Sequence, residues 1–173
     1  MADFAKHIEP LVTKEGGYKL HHVKGDRGGR TYAGISERSN PDWRGWALID
    51  SGAPPPELHA AVHDRYRERY WTPIRGDDIK DDDVCEVMFS CAVLSGPRRA
   101  IKLAQKCVEE RADGVIGPRT LRAINGMDPE LFDARFALAR INRYRQICMK
   151  NRTQRKFLLG WVNRVFGELE TDL

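Results

Sequence analysis

Glu15 ends an apolar helical pattern and stands directly before Gly16 and Gly17, in the stretch TKEGGYKLHHVKGDRGGRTYAGIS that runs from Thr13 to Ser36. A carboxyl group at a helix C-terminus faces the negative end of the helix dipole, which favours its neutral form. If the following segment folds over it and removes water, desolvation acts in the same direction. A carboxylic acid kept protonated near neutral pH is what a general acid needs to expel a poor alkoxide leaving group. Asp26 lies eleven residues further on, inside a Gly-Asp-Arg-Gly-Gly turn. There it would stay ionised, able to orient a water or to stabilise developing positive charge. Thr31 offers a hydroxyl that could hold the same water. The bland alternative for Glu15 is a surface glutamate that happens to precede a glycine stop.

These residues need elements to hold them. Phe4, Ile8, Leu11 and Val12 recur at helical spacing over Asp3 to Lys14, with Asp3 as N-cap and Pro10 as an awkward interior residue. Gly16 and Gly17 supply the left-handed positions that stop the helix. From Tyr18 to Ser36 the pattern breaks into short segments around Gly25-Asp26 and Gly28-Gly29, which predicts a small β-hairpin or sheet. Asn40-Pro41-Asp42 starts a helix carrying Trp43, Trp46, Leu48 and Ile49. Beyond the proline run Pro54–Pro56 the chain reads as helical, over Glu57–Tyr70, Asp82–Leu94, Arg98–Arg111, a short helix from Pro118, a long one to about Lys150 and a last one over Thr153–Leu169. The expected fold class is α+β, mainly α, with one small β element near the N-terminus. The chain reads as a single compact domain (1–173), with Glu15 and the hairpin in 1–95 and a helical segment in 96–173.

At 173 residues, 41% hydrophobic and 31% charged, the chain has the length and composition of one soluble globular domain. A net charge of +4 favours anionic partners such as nucleic acid, acidic glycans or anionic lipid without choosing among them. The charge is scattered, with no long basic tail, so nucleic acid is not an expected partner. Cys85, Cys91, Cys107 and Cys148 form no CxxC pair and no zinc-ligand spacing with histidine, and read as reduced, buried thiols. His21 and His22 are adjacent; on a strand they point to opposite faces, so they do not form a joint metal site. Neither metal nor cofactor is expected. The opening MADFAKHIEP carries charges and no apolar core, and there is no run of about 18 apolar residues, so neither a signal peptide nor a membrane span is expected.

A signature stretch and four ordered segments after it carry a resemblance. EGGY at Glu15, then Asp26, GGRT ending at Thr31, and Gly34-Ile35 are similar to the signature of the family 108 glycoside hydrolases, phage-type N-acetylmuramidases of the lysozyme superfamily. RYRERYW (Arg65–Trp71) resembles a helix end of the family, and MFSCAVLSGPRRAIKLAQ (Met88–Gln105) its central Ser-Gly-Pro segment. ADGVIGPRTLRAI (Ala112–Ile124) and KFLLGWVNRV (Lys156–Val165) resemble its C-terminal segment, described as a predicted peptidoglycan-binding region. The resemblance implies a lysozyme-like fold and cleavage between N-acetylmuramic acid and N-acetylglucosamine. It implies Glu15 as the catalytic acid, with Asp26 and Thr31 placing water. Tyr18, Tyr32, Arg30, Tyr70 and Ser95 become candidate contacts to the glycan strand, although the tyrosines suit core packing equally and Arg30 a solvated hairpin. Relatives carry Asn before the Ser-Gly pair, where this chain has Leu94.

The implied biology is that of a monomeric phage or prophage endolysin, or of a muramidase that remodels wall for secretion. It would be made in the bacterial cytoplasm and reach peptidoglycan in the periplasm through a holin-type pore or another exporter. A non-catalytic wall-binding protein is the alternative from another class. Asp113, Gly114, Gly117 and Thr120 either contact peptidoglycan or simply reverse the chain and start a helix. The C-terminal stripe Phe157, Leu158, Trp161, Val162 and Val165, with basic residues beside it, reads as core; weak contact with an anionic membrane surface is the rival.

Overall fold

A computed structural model describes residues 1–22 and 29–169, less the side chain of His22. The chain forms two compact units, one of Asp3–Thr72 and one of Pro73–Leu173 with Met1–Ala2. The division at 95/96 suggested by the sequence falls inside the second unit.

In the first unit α1 spans Phe4–Lys14, and Asp3 caps it by accepting from the Ala5 N–H at 3.0 Å. Phe4, His7, Ile8, Leu11 and Val12 are buried, the one-face pattern of an amphipathic helix. Pro10 lies on the exposed side, where water can satisfy the carbonyl it frees, and the helix runs through it. The glycine stop is a Schellman motif: Gly17 N–H donates to Val12 O at 2.9 Å and Gly16 N–H to Thr13 O at 3.2 Å.

Three short antiparallel strands follow, β1 (Leu20–His22), β2 (Arg30–Tyr32) and β3 (Ile35–Ser36), in that order across the sheet. Leu20 pairs with Tyr32, His21 with Thr31, and Thr31 in turn with Ser36. The β2–β3 connection is the two-residue turn Ala33-Gly34, with φ of 47° and 75°. Both values are positive, the signature of a hairpin turn whose twist matches its strands. The sequence reading marks no turn there, because Ala is a rare occupant of that conformation. The turn expected around Gly25–Gly28 lies outside the described residues.

The helix expected from Asn40 is shorter, with α2 at Gly45–Asp50. Trp43 and Trp46 are buried on either side of its start, donating from their indole N–H to Ala61 O at 3.0 Å and Asn40 O at 2.8 Å. α3 spans Pro55–Tyr66, so two prolines form its first turn, where their missing N–H groups are not needed. It continues as a π-helical segment, Arg67–Trp71. Ala61, Val62, Tyr66 and Trp71 are all buried. The wider π turn carries Trp71 to the face of Tyr66 despite the five-residue step. Trp71 then meets Phe4 and His7 of α1 at ring distances of 5.3 and 5.6 Å.

The second unit is helical: α4 (Asp82–Ser95), α5 (Pro97–Cys107), α6 (Pro118–Gly126), α7 (Pro129–Lys150) and α8 (Leu158–Leu169). Asp81 caps α4 and Asp128 caps α7, each accepting from main-chain N–H groups of the first turn. α4 is the apolar centre, burying Val84, Cys85, Val87, Met88, Phe89, Cys91 and Ala92 against α5 and α7. α5 stops four residues earlier than its pattern suggests. Glu109 takes φ 58° and Glu110 N–H donates to Gln105 O at 2.8 Å, a Schellman stop without glycine.

All four cysteines are buried and free. Burial pushes the Cys91 and Cys107 thiols up to about 11, which keeps them unreactive. Of the C-terminal stripe, Val165 is buried on Ala137 and Tyr144, with Leu158 and Trp161 partly buried against them. Phe157 departs from the core expectation: it is 47% exposed, in the 3₁₀ stretch Arg152–Phe157 that precedes α8. Among the described residues no helix is long and apolar enough to cross a membrane.

Candidate active site

The Schellman stop fixes Glu15 as the C-cap of α1, with its N–H donating to Leu11 O at 3.0 Å. The Ala33-Gly34 turn lies directly against its side chain. A Cβ at Gly34 would stand 3.1 Å from Glu15 Cβ and 2.7 Å from Tyr66 Oη. The absent side chain thus lets the hairpin close on the acid. Tyr66 is buried and donates to Ala33 O at 2.9 Å, which ties the turn to α3. Burial, and after it the nearby charge of Glu15, hold the Tyr66 hydroxyl well above its usual range. It therefore stays protonated, a fixed neutral dipole beside the acid.

Thr31 faces away from Arg30 and Tyr32, because side chains alternate along a strand. Its cross-strand partners His21 and Ser36 share its face. His21 Nε2 lies 4.0 Å from where a Cβ on Gly16 would be, so this sheet face turns to the glycine stop after Glu15. Asp26 lies outside the described residues. Glu15 and Thr31 are thus brought to one region by the glycine stop, the sheet register and the close Gly34 turn.

The other candidates divide. Tyr18 follows the glycine stop, stacks on His59 at 3.7 Å and donates to Glu9 Oε1 at 3.0 Å. Its hydroxyl also lies 2.9 Å from His63 Nε2. Burial and the Glu9 hydrogen bond raise its pKa well above the tyrosine norm. Tyr32 is buried against Trp43 at a ring distance of 6.2 Å, a core position where its face is covered. Arg30 bonds both Glu37 and Asp50 and lies 5.2 Å over Trp46. Its donors are engaged on the sheet face opposite Thr31, so its observed work is to join the sheet to α2. Tyr70 is half-buried, 5.6 Å from Tyr66. Ser95 ends α4 and belongs to the second unit.

Tyr66 is the residue that sequence reading misses. Only the fold shows that, of the aromatic residues in RYRERYW, the first tyrosine turns inward to the acid. Among the described residues no group of three or more His, Cys, Asp or Glu side chains could hold a metal ion.

We expect Gly34→Ala to lower activity on peptidoglycan by at least tenfold. The substitution puts a methyl group into the space between Glu15 and Tyr66 at a left-handed φ, at a cost of about 1–2 kcal/mol in backbone strain alone. Activity assays beside thermal melts check this. A variant with wild-type rate would show that the close turn does not position the acid.

In the second unit the Asp113–Thr120 motif has a structural explanation. Gln105, 1% exposed, donates to Asp113 Oδ1 at 2.8 Å and to Val115 O at 3.0 Å, and accepts from Gly114 N–H at 2.9 Å. The hydrogen bond from Gln105 holds the Asp113 carboxyl below its usual range. The aspartate is thus spent on the turn.

Comparison with known proteins adds to this geometry. The family described as Glycosyl hydrolase 108 matches residues 8–96, and the one described as Predicted Peptidoglycan domain matches residues 99–166. A solved structure of SagA from Brucella abortus is 29% identical in sequence, covers 95% of this chain and 90% of its own, and superimposes with a TM-score of 0.70. No curated protein sequence matches. With a mainly helical, lysozyme-like α+β fold, an acid held at a helix end under a close hairpin turn, and a family match over residues 8–96, the chain belongs to the glycosyl hydrolase 108 family and is a glycoside hydrolase acting on peptidoglycan.

Proposed function

We propose that the chain is an N-acetylmuramidase that cleaves the β-1,4 bond between N-acetylmuramic acid and N-acetylglucosamine. Glu15 protonates the glycosidic oxygen as the C1–O bond of the muramic acid breaks and an oxocarbenium-like transition state develops. Water held by Asp26 and Thr31 adds to C1 as its proton passes to the Asp26 carboxylate, and the proton from Glu15 leaves on the freed glucosamine hydroxyl. The single observation that supports this reading most is the setting of Glu15, a carboxyl group at a helix C-terminus with the Gly34 turn close against it and the Tyr66 hydroxyl at the same turn. A non-enzymatic wall-binding role has no need of that setting.

Release of the glycan from a host wall makes a phage or prophage endolysin the biological role we favour, with wall remodelling for secretion as the same chemistry in another use. In either use the protein acts in the periplasm, after passage through a holin-type pore or another exporter.

Mass spectrometry of digested peptidoglycan tests the reading. Products with N-acetylmuramic acid at the reducing end are expected. N-acetylglucosamine at the reducing end, or free stem peptides, would overturn it.

A further inference from the structure

Arg98, Lys102 and Lys106 recur every four residues along α5. They therefore stand in one row at steps of about 6 Å. Arg143 of α7 and Arg99 line the same open groove of about 670 Å³, and no acidic side chain lines it. Among the described residues none of the five forms an ion pair with a carboxylate. Arg143 Nε is buried and has no hydrogen-bond partner. Burial, and after it the charge of Arg99, press the Arg143 guanidinium below its usual range. Such uncompensated like charges in a concavity destabilise the empty groove, and a bound anion relieves them.

The row is held in place from below. A Cβ at Gly114 would stand 2.6 Å from Arg98 Cγ and 3.2 Å from Lys102 Cε. Glycine there lets the turn pinned by Gln105 lie against the stems of two of the cations. The Asp-Gly motif thus shapes the groove without touching what it holds.

The chain acts on peptidoglycan, whose short stem peptides carry carboxylates. An extended peptide advances about 3.3 Å per residue, so carboxylates on alternate residues lie about 6.6 Å apart. That spacing matches the row of cations. Arginine at the groove adds the planar fork that suits a carboxylate. A flat anionic membrane would be met by a convex face, whereas these cations line a hollow.

We propose that the groove along α5 binds the acidic stem peptides of peptidoglycan through their carboxylates. The inference rests on the assignment to peptidoglycan and supplies what that assignment leaves open, which part of the polymer the second unit takes and with which residues.

The probe is a synthetic stem tetrapeptide with free carboxylates, titrated calorimetrically into the full chain, beside the same peptide with its carboxylates amidated. Binding of the acid form, weakened by salt, is expected, with at least tenfold weaker binding of the amide. Lys102→Gln with Lys106→Gln should weaken binding at least tenfold at an unchanged melting temperature, and Lys102→Arg with Lys106→Arg should restore it. Equal binding of acid and amide peptides, or equal binding by the Gln and Arg pairs, would overturn the proposal. So would failure to bind the peptide with capture by phosphatidylglycerol vesicles instead. The release of reducing sugar ends is measured separately. Its failure sinks the glycosidase reading alone, since peptide binding is read without turnover.

Discussion

Replacing Glu15 by glutamine is expected to leave the protein folded and to lower glycan hydrolysis by about 10²–10⁴-fold or more. The amide keeps the size of the side chain and its ability to hydrogen-bond, but it has no proton to give the leaving oxygen. Glu15 is a C-cap through its main chain, and its N–H bond to Leu11 O does not depend on the side chain. The melting temperature should therefore stay near that of the parent. Release of reducing ends from purified sacculi, beside a thermal melt, separates catalysis from folding. A folded variant that keeps a third of the parent rate would remove Glu15 from the role of acid.

The second large effect is on stability. Arg140 and Glu168 form an ion pair whose side chains are 2% and 8% exposed, and the Ser90 hydroxyl donates to the same carboxylate at 2.7 Å. Truncating Glu168 to alanine leaves a guanidinium buried without its counter-charge and takes the acceptor from Ser90. A loss of about 3–5 kcal/mol is expected, a large share of the ~5–15 kcal/mol that holds a typical domain. The pair Arg140→Met and Glu168→Leu should recover most of it, because a desolvated ion pair exchanged for apolar groups of similar volume is close to neutral. Urea unfolding of the three proteins checks both statements. Recovery in the double variant would assign the loss to the stranded charge, whereas equal losses in both would assign it to packing. The pair also bears on α8, since it joins that helix to α7 and α4 and turns part of its face inward.

The sequence is most legible where a few neighbouring residues decide the structure. Asp3 starts α1 because a carboxylate two residues ahead of an orphan N–H group accepts from it. Gly16 and Gly17 stop α1 because each takes a positive φ, 105° and 72°, that other residues rarely adopt. Those local rules also put Glu15 at a helix end, which made it a candidate, while its role as the acid is what the family resemblance implies. Where the local signal is missing the reading fails. α5 ends at Glu109 with a left-handed residue that is not glycine, and the hairpin turns at an alanine. In both places tertiary contacts outweigh the local preference.

The sequence by itself therefore determined the helical frame, the small sheet after α1 and the place of Glu15 at their junction, because capping and glycine stops act over a few residues. Only the tertiary structure decided which side chains meet. It took Arg30 into ion pairs with Glu37 and Asp50, covered Tyr32 with Trp43, and brought Tyr66 to Glu15 from a helix some fifty residues away. It also set Arg143 of α7 across from the cation row of α5. Such pairings depend on which faces two distant elements bury against each other. Charge and hydropathy along a chain give each element its faces, and only their packing selects which of those faces touch.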